Sequence, residues 1–242
     1  MKQHIPNFIT LLNLFCGCIA IFFTINGAFE EAAVFFFLGV VFDFLDGFVA
    51  RILKVQSELG VQLDSLADMV TSGVLPGVVM FKLLNMALDT DWSAGSSWNT
   101  ISFEPLALIG FIITLASGYR LAKFNIDENQ VSSFIGLPTP ANALVIVSLP
   151  LILMYQNNPV LESIILNVWF LVGLTLLSAY LLNSKIALFA LKFKTWSFAD
   201  NAIRYIFLII SLVLLATLKY LAVPAIILLY VGFSLFDTSS KK

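Results

Sequence analysis

Four aspartates within 26 residues, Asp43, Asp46, Asp64 and Asp68, stand in a chain that is 60% hydrophobic. A carboxylate in or beside a membrane is expensive and is a functional candidate by default. At 100° per residue, Asp43, Asp46, Gly47 and Ala50 share one helical arc of roughly 100°. Gly60, Asp64 and Asp68 recur at i, i+4 and i+8 and line a second face. Two such helices facing each other present four oxygen-donor groups across a gap. Gly47 and Ala50 leave room beside the acids for a ligand or a neighbouring backbone. Four carboxylates cannot all stay charged in one dry site without cations, and hard divalent ions such as Mg²⁺ or Mn²⁺ are their natural partners. A lone acid pair would read as a structural ion pair or a polar patch. Four acids with interleaved small residues and one nearby arginine, Arg51, read as a metal centre.

The elements that must hold these acids follow from composition. The chain has 242 residues, 23 Phe, 12% charged residues and a mean hydropathy of +0.96. A soluble core of this length could not hide so much apolar surface, so an all-α, polytopic membrane protein is expected, with residues 1–242 forming a single integral membrane domain. Apolar runs predict about eight helices, near 8–25, 32–52, 62–86, 104–124, 140–155, 163–183, 202–218 and 221–236. The fifth is short and contains Pro150, so it is expected to be tilted or broken. Lys2, Arg51, Lys54, Arg120, Lys123, Lys185, Lys192, Lys194, Arg204, Lys241 and Lys242 fall on one side of this arrangement, and only Lys82 and Lys219 on the other. The positive-inside rule then puts both termini, and the acid-bearing ends of helices two and three, at the cytoplasmic face of the cell membrane. A polar nucleotide could reach the acids from the cytosol while a lipid tail stays in the bilayer. Residues 184–201 alternate Lys185, Lys192 and Lys194 with Leu188, Phe189, Phe193, Trp196 and Phe198, the texture of an interfacial connection. One His and two Cys, Cys16 and Cys18, exclude a zinc cluster of Cys and His. The thiols sit on different sides of one predicted helix and are expected to be free. The first residues carry one Lys and run into an apolar span without an A-x-A-like end, so no cleavable signal peptide is expected.

The acid stretch reads D-x2-D-G-x2-A-R-x8-G-x3-D-x3-D. This resembles, without a departure, the signature of the CDP-alcohol phosphatidyltransferases. The resemblance implies a membrane enzyme that moves a phosphatidyl or similar group from a CDP-linked donor to an alcohol, releasing CMP. Blocks outside the signature resemble one branch of that family, the bacterial and archaeal phosphatidylserine synthases. They are Ile5-Pro-Asn-Phe-Ile-Thr-Leu-Leu-Asn-Leu-Phe-Cys-Gly17, Gln62 to Pro76, Gly118-Tyr-Arg-Leu-Ala-Lys-Phe-Asn125 and Gly136-Leu-Pro-Thr-Pro-Ala141. Together they cover most of residues 5–145, and the last third is similar mainly in hydropathy. Lys123 stands where that branch usually has Arg, which keeps the charge and loses the planar fork.

What the resemblance implies is specific. The donor would be CDP-diacylglycerol and the acceptor L-serine, with glycerol-3-phosphate, inositol or choline as alternative acceptors. Asp43, Asp46 and Asp64 would hold metal, two Mg²⁺ or Mn²⁺ ions. Asp68 would share the second metal and act as general base. Gly47 and Ala50 would admit the cytidine, and Arg51 would touch a donor phosphate or serve only as a topology residue. Asn7 and Thr10, one turn apart, either hydrogen-bond the nucleotide or diphosphate or cap the first helix. Arg120 and Lys123 form either an anion site, for the serine carboxylate or a phosphate, or snorkel to headgroups. Few basic residues surround the acids, which favours an acceptor without a phosphate. An ion-coupled transporter would also place carboxylates near broken helices, yet it requires no Gly, Ala and Arg at these offsets, and no inverted repeat is evident. Membrane lipids are expected partners, nucleic acid is not, and a homodimer is compatible with the sequence.

Overall fold

The computed structural model describes residues 4–55, 57–89, 104–126, 134–188 and 198–236. The chain opens with helix α1 (His4–Ile25), and Pro6 is tolerated in its first turn, where the missing N–H has no intrahelical partner anyway. A short turn at Asn26–Ala28 leads into α2 (Phe29–Leu53). Lys54 ends α2 in the left-handed conformation, φ 54°, and its N–H closes on the Ala50 and Arg51 carbonyls. Ser57 caps α3 (Glu58–Asp68), its Oγ accepting from the Gly60 N–H at 3.1 Å. These two termini fold α2 back on α3, so the acid faces read from the sequence meet.

α3 does not stop at Asp68. It continues through a widened π-helical turn, Met69–Val74, into α4 (Leu75–Ala87), giving one 30-residue run from Glu58 to Ala87. After residues outside the described set, a 3₁₀ turn (Pro105–Phe111) leads into α5 (Ile112–Ile126). Helix α6 (Thr139–Tyr155) contains Pro150 and still runs unbroken, buried on both sides of the proline. The expected sixth segment is two helices, α7 (Pro159–Ile165) and α8 (Val168–Asn183), bent by 61° where Asn167 caps the second. Helices α9 (Phe198–Leu218) and α10 (Ala222–Phe236) are joined by a 3₁₀ turn at Lys219–Leu221, with Lys219 at φ 50°. Phe207 of α9 meets Tyr230 and Phe233 of α10, with ring centroids 5.8 and 6.4 Å apart, so this pair is a hairpin.

The fold is all-α, with ten α-helices among the described residues, α3 and α4 being joined by the π-turn, and a single two-residue strand pairing. Phe134–Ile135 (β1) runs antiparallel to Ala187–Leu188 (β2), with Phe134 opposite Leu188. Most of the expected interfacial connection, residues 189–197, lies outside the described residues; Lys185 is exposed at its start and Leu188 is buried. Five helical runs are long and apolar enough to cross a membrane, or six if the bent α7–α8 pair is one span. The protein is therefore a multi-pass membrane protein. Its core is centred on α4. Leu75, Met80, Leu83 and Leu84 are fully buried there, against Phe36 of α2, Ile113 of α5, Ile146 and Ile152 of α6 and Leu171 of α8.

Candidate active site

The α2–α3 hairpin delivers the carboxylates to one place. One oxygen each from Asp43, Asp46 and Asp64 lies within 4.8 Å of the other two. Among the described residues this is the one group of three or more His, Cys, Asp or Glu side chains so arranged. Asp68, one turn beyond Asp64, faces Asp43 from α3. Asp46 is buried, and Asp43, Asp64 and Asp68 are half-buried. Crowding acids at this spacing without a cation is repulsive, because the Coulomb term between like charges a few ångströms apart is large outside bulk water. The donor set is all oxygen and anionic, which fits a hard divalent ion and does not suit a soft one. By donor chemistry and spacing, then, the acids fit a divalent metal.

The surrounding residues hold the acids in place. Thr10, buried on α1, donates its hydroxyl to the Asp46 carboxylate, with the Pro6 carbonyl 3.1 Å away. Thr10 lies well inside α1, so capping is not its role. Asn7, one turn earlier, borders the start of α3: its Oδ1 lies 3.3 Å from where a Cβ on Gly60 would sit. Ser65 Oγ donates to Asn125 Oδ1 at 3.0 Å, and Asn125 Nδ2 to Gln62 Oε1 at 3.4 Å, which ties the end of α5 to α3 beside Asp64. A Cβ on Gly47 would find only the Arg51 Nη2, 4.0 Å away, so the space beside Asp46 is open. Ala50 is half-buried one turn on. Arg51 is exposed, and its Nε donates to the Gly47 carbonyl at 2.9 Å, which holds the guanidinium along the open side of α2.

Arg120 and Lys123 part company. Arg120 is half-buried on α5, its Nη2 3.5 Å from the Gly136 carbonyl and its charge acting on Asp68; its Nε is buried and makes no hydrogen bond. Lys123, one turn on, is exposed. Gly136 sits at φ +74°, and a Cβ there would lie 2.6 Å from the Leu182 carbonyl, so this turn tolerates no side chain. Its N–H donates to the Ile186 carbonyl at 2.9 Å, and Leu137 N–H to Leu181 O at 2.9 Å. Asn183 Nδ2 donates to the Ala116 carbonyl at 3.1 Å. The Gly136–Pro140 run is thus pinned to the end of α8, and it presents a carbonyl to Arg120.

A family model of CDP-alcohol phosphatidyltransferase matches residues 3–180, which include all four acids and Arg120. The chain belongs to the CDP-alcohol phosphatidyltransferase family. Among its relatives, the CDP-diacylglycerol–serine O-phosphatidyltransferase of Bacillus subtilis (strain 168) is 33% identical over 166 residues, 67% of this chain and 81% of that protein. The protein of the same description from Methanocaldococcus jannaschii is 35% identical over 164 residues, 66% of this chain and 68% of its own length. The archaetidylserine synthase of Methanothermobacter thermautotrophicus is 31% identical over 147 residues, 60% of this chain and 56% of its own length. The family match ends within α8, so α9 and α10 lie outside it.

Two features of this family member were not read from its sequence. The π-helical turn directly after Asp68, Met-Val-Thr-Ser-Gly-Val, contains Gly73 but lies inside a continuous apolar run whose periodicity does not register one extra residue. Such turns recur at functional sites, because the extra residue re-aims side chains. The other is Asn13. A signal for it existed: Asn7, Thr10, Asn13 and Gly17 form a polar and small stripe at helical spacing on an otherwise apolar helix.

Proposed function

We propose that this chain transfers the phosphatidyl group of CDP-diacylglycerol to the hydroxyl of L-serine, giving phosphatidylserine and CMP. The observation that carries this reading is the acid cluster in a chain of this family whose curated relatives are named for serine transfer. Asp43, Asp46 and Asp64 hold the divalent metal, Mg²⁺ or Mn²⁺, and two ions suit four carboxylates better than one. When bound, the metal supplies neutralising charge to the donor diphosphate. Asp68 accepts the serine hydroxyl proton as the new bond from serine oxygen to phosphorus forms, and the bond from phosphorus to the CMP oxygen breaks, the electron pair leaving on CMP. The open space at Gly47 and Ala50 admits the cytidine. Arg51 and Asn7 border the same side and contact the donor phosphates or nucleotide, and Thr10 contributes by fixing Asp46. Arg120, held by Gly136 and facing Asp68, binds the serine carboxylate. Lys123, exposed one turn away, adds positive charge at the approach to the site.

Both termini and the acids face the cytoplasm, a reading supported by the basic residues Arg51, Lys54, Arg120, Lys123 and Lys185 at the same end of the bundle. All four acids come from one chain, so a homodimer would carry two complete sites.

An acceptor panel tests the reading. Membranes containing the protein, with CDP-diacylglycerol and Mg²⁺ or Mn²⁺, are given radiolabelled serine, glycerol-3-phosphate, inositol or choline in turn. Label should enter lipid from serine. Consumption of glycerol-3-phosphate with serine ignored would overturn the acceptor and leave the reaction class standing.

A further inference from the structure

Asn13 is fully buried on α1, where a primary amide is costly unless both of its ends are satisfied. One end is. The Thr71 hydroxyl, on the π-helical turn, lies 2.8 Å from Asn13 Oδ1 and donates to it. The other end is not: Asn13 Nδ2 is buried and makes no hydrogen bond. Asp68 is the carboxylate close enough to be influenced by this amide. The opposite orientation of the amide would turn a carbonyl oxygen toward a carboxylate, so the Thr71 bond and the charge on Asp68 select the same geometry.

The packing leaves the amide nowhere else to go. A Cβ on Gly39 of α2 would lie 3.0 Å from Asn13 Oδ1 and 2.9 Å from Thr71 Cγ2, and one on Gly17 of α1 would lie 2.5 Å from Thr71 Oγ1. Two glycines therefore let α1, α2 and the widened turn close on one another at this point. In an α-helical continuation of α3, Thr71 would take a different bearing relative to Asp68. The extra residue of the π-turn gives Thr71 its aim at α1 while Asp68 keeps its place on the acid face.

We infer that Asn13 is a positioning residue for Asp68: Thr71 locks its amide so that the Nδ2 protons orient the carboxylate that receives the acceptor's proton. The inference rests on the general-base reading of Asp68. Asn13 touches neither substrate nor metal in this account and acts through the carboxylate alone. A hydrogen bond to a charged group supports the placement of the oxygen that must meet the serine hydroxyl.

The test uses full-length protein in detergent and two readouts, CDP-diacylglycerol affinity by calorimetry and the single-turnover rate with serine. Asn13→Leu keeps the volume and removes the donors. Thr71→Val removes the lock, and Thr71→Ser restores its hydroxyl. Asn13→Leu should slow turnover by about tenfold or more, the scale of losing a hydrogen bond to a charge, with donor affinity within about twofold of wild type. Thr71→Val should slow it by less, and Thr71→Ser should recover most of the rate. In the Asp68→Asn background, Asn13→Leu should add almost nothing, because the group it positions is gone. A wild-type rate for Asn13→Leu, a loss confined to donor affinity, or a loss fully additive with Asp68→Asn would overturn the inference. If Asn13→Leu does not fold, the Thr71 pair and its cycle with Asp68→Asn decide by the same criteria. A wild-type rate for Asp68→Asn itself would instead remove the general-base reading, and the two failures are told apart in one set of assays.

Discussion

The run from Glu58 to Ala87 and the α9–α10 hairpin are both apolar and helical, and the bundle treats them in opposite ways. In the first, 72% of the membrane-length window is buried; in the second, 17%. The more apolar of the two is the less buried. Lipid tails are as apolar as leucine, so hydropathy alone does not draw a helix into a bundle. The central run is drawn in by small and polar residues: Thr71, Ser72, Gly73 and Gly77 sit where neighbouring helices approach, and Thr114 Oγ1 donates to the Gly73 carbonyl at 3.0 Å. The hairpin instead shows Ile209, Leu212, Val213, Leu228 and Leu235 to the outside. In the first region the buried part is the π-turn and α4, directly beyond the half-buried Asp64 and Asp68; the second, which the family match does not reach, is an outer layer with an exposed apolar face.

The largest effect expected in breaking this contrast is removal of metal. Excess EDTA should abolish serine incorporation, and Mg²⁺ or Mn²⁺ should restore it, because the clustered carboxylates of α2 and α3 form an all-oxygen, anionic donor set suited to a hard divalent ion. Full activity after metal analysis confirms removal would show that the cluster serves another purpose. A smaller effect is expected from packing. Leu84 of α4 is fully buried, and Leu84→Ala should lower the melting temperature of the solubilised protein, at a cost of about 2 kcal/mol, mainly the cavity part of a large-to-small change. Leu212 is 66% exposed, and Leu212→Ala should fall within about 0.5 kcal/mol of wild type by the same melting assay. Equal losses for the two would mean that the hairpin packs as tightly as the centre.

The elements were legible wherever turn chemistry punctuates the apolar runs. Asn26-Gly27 and the stretch Lys54–Ser57 bound α1, α2 and α3 near the expected positions, and the two acid faces followed from spacing alone. The bend between α7 and α8 was hidden because Asn167 is a single capping residue inside a continuous apolar run, and periodicity does not register a cap. Pro150 misled in the other direction. It marked α6 as tilted or broken, and the helix runs unbroken across it, with its neighbours from Val145 to Ile152 buried in the bundle. In the site, the acids were readable because intramembrane carboxylates are rare. Arg120 and Lys123 looked equivalent in sequence, and only the turn at Gly136 separates the inward one from the exposed one. Asn13 and Thr71 were not paired in advance, since their meeting depends on the π-turn and on two glycines from different helices.

The central claim is that the carboxylates divide their labour, Asp43, Asp46 and Asp64 holding metal and Asp68 taking the proton. It is tested most directly by measuring donor affinity beside single-turnover rate for Asp64→Asn and Asp68→Asn. Asp64→Asn should weaken metal and CDP-diacylglycerol binding together. Asp68→Asn still offers an oxygen near the metal and cannot accept a proton, so donor binding should survive while turnover falls by roughly 10²-fold or more. Equal loss of donor binding in both variants would contradict the division and leave the four acids as one metal cage.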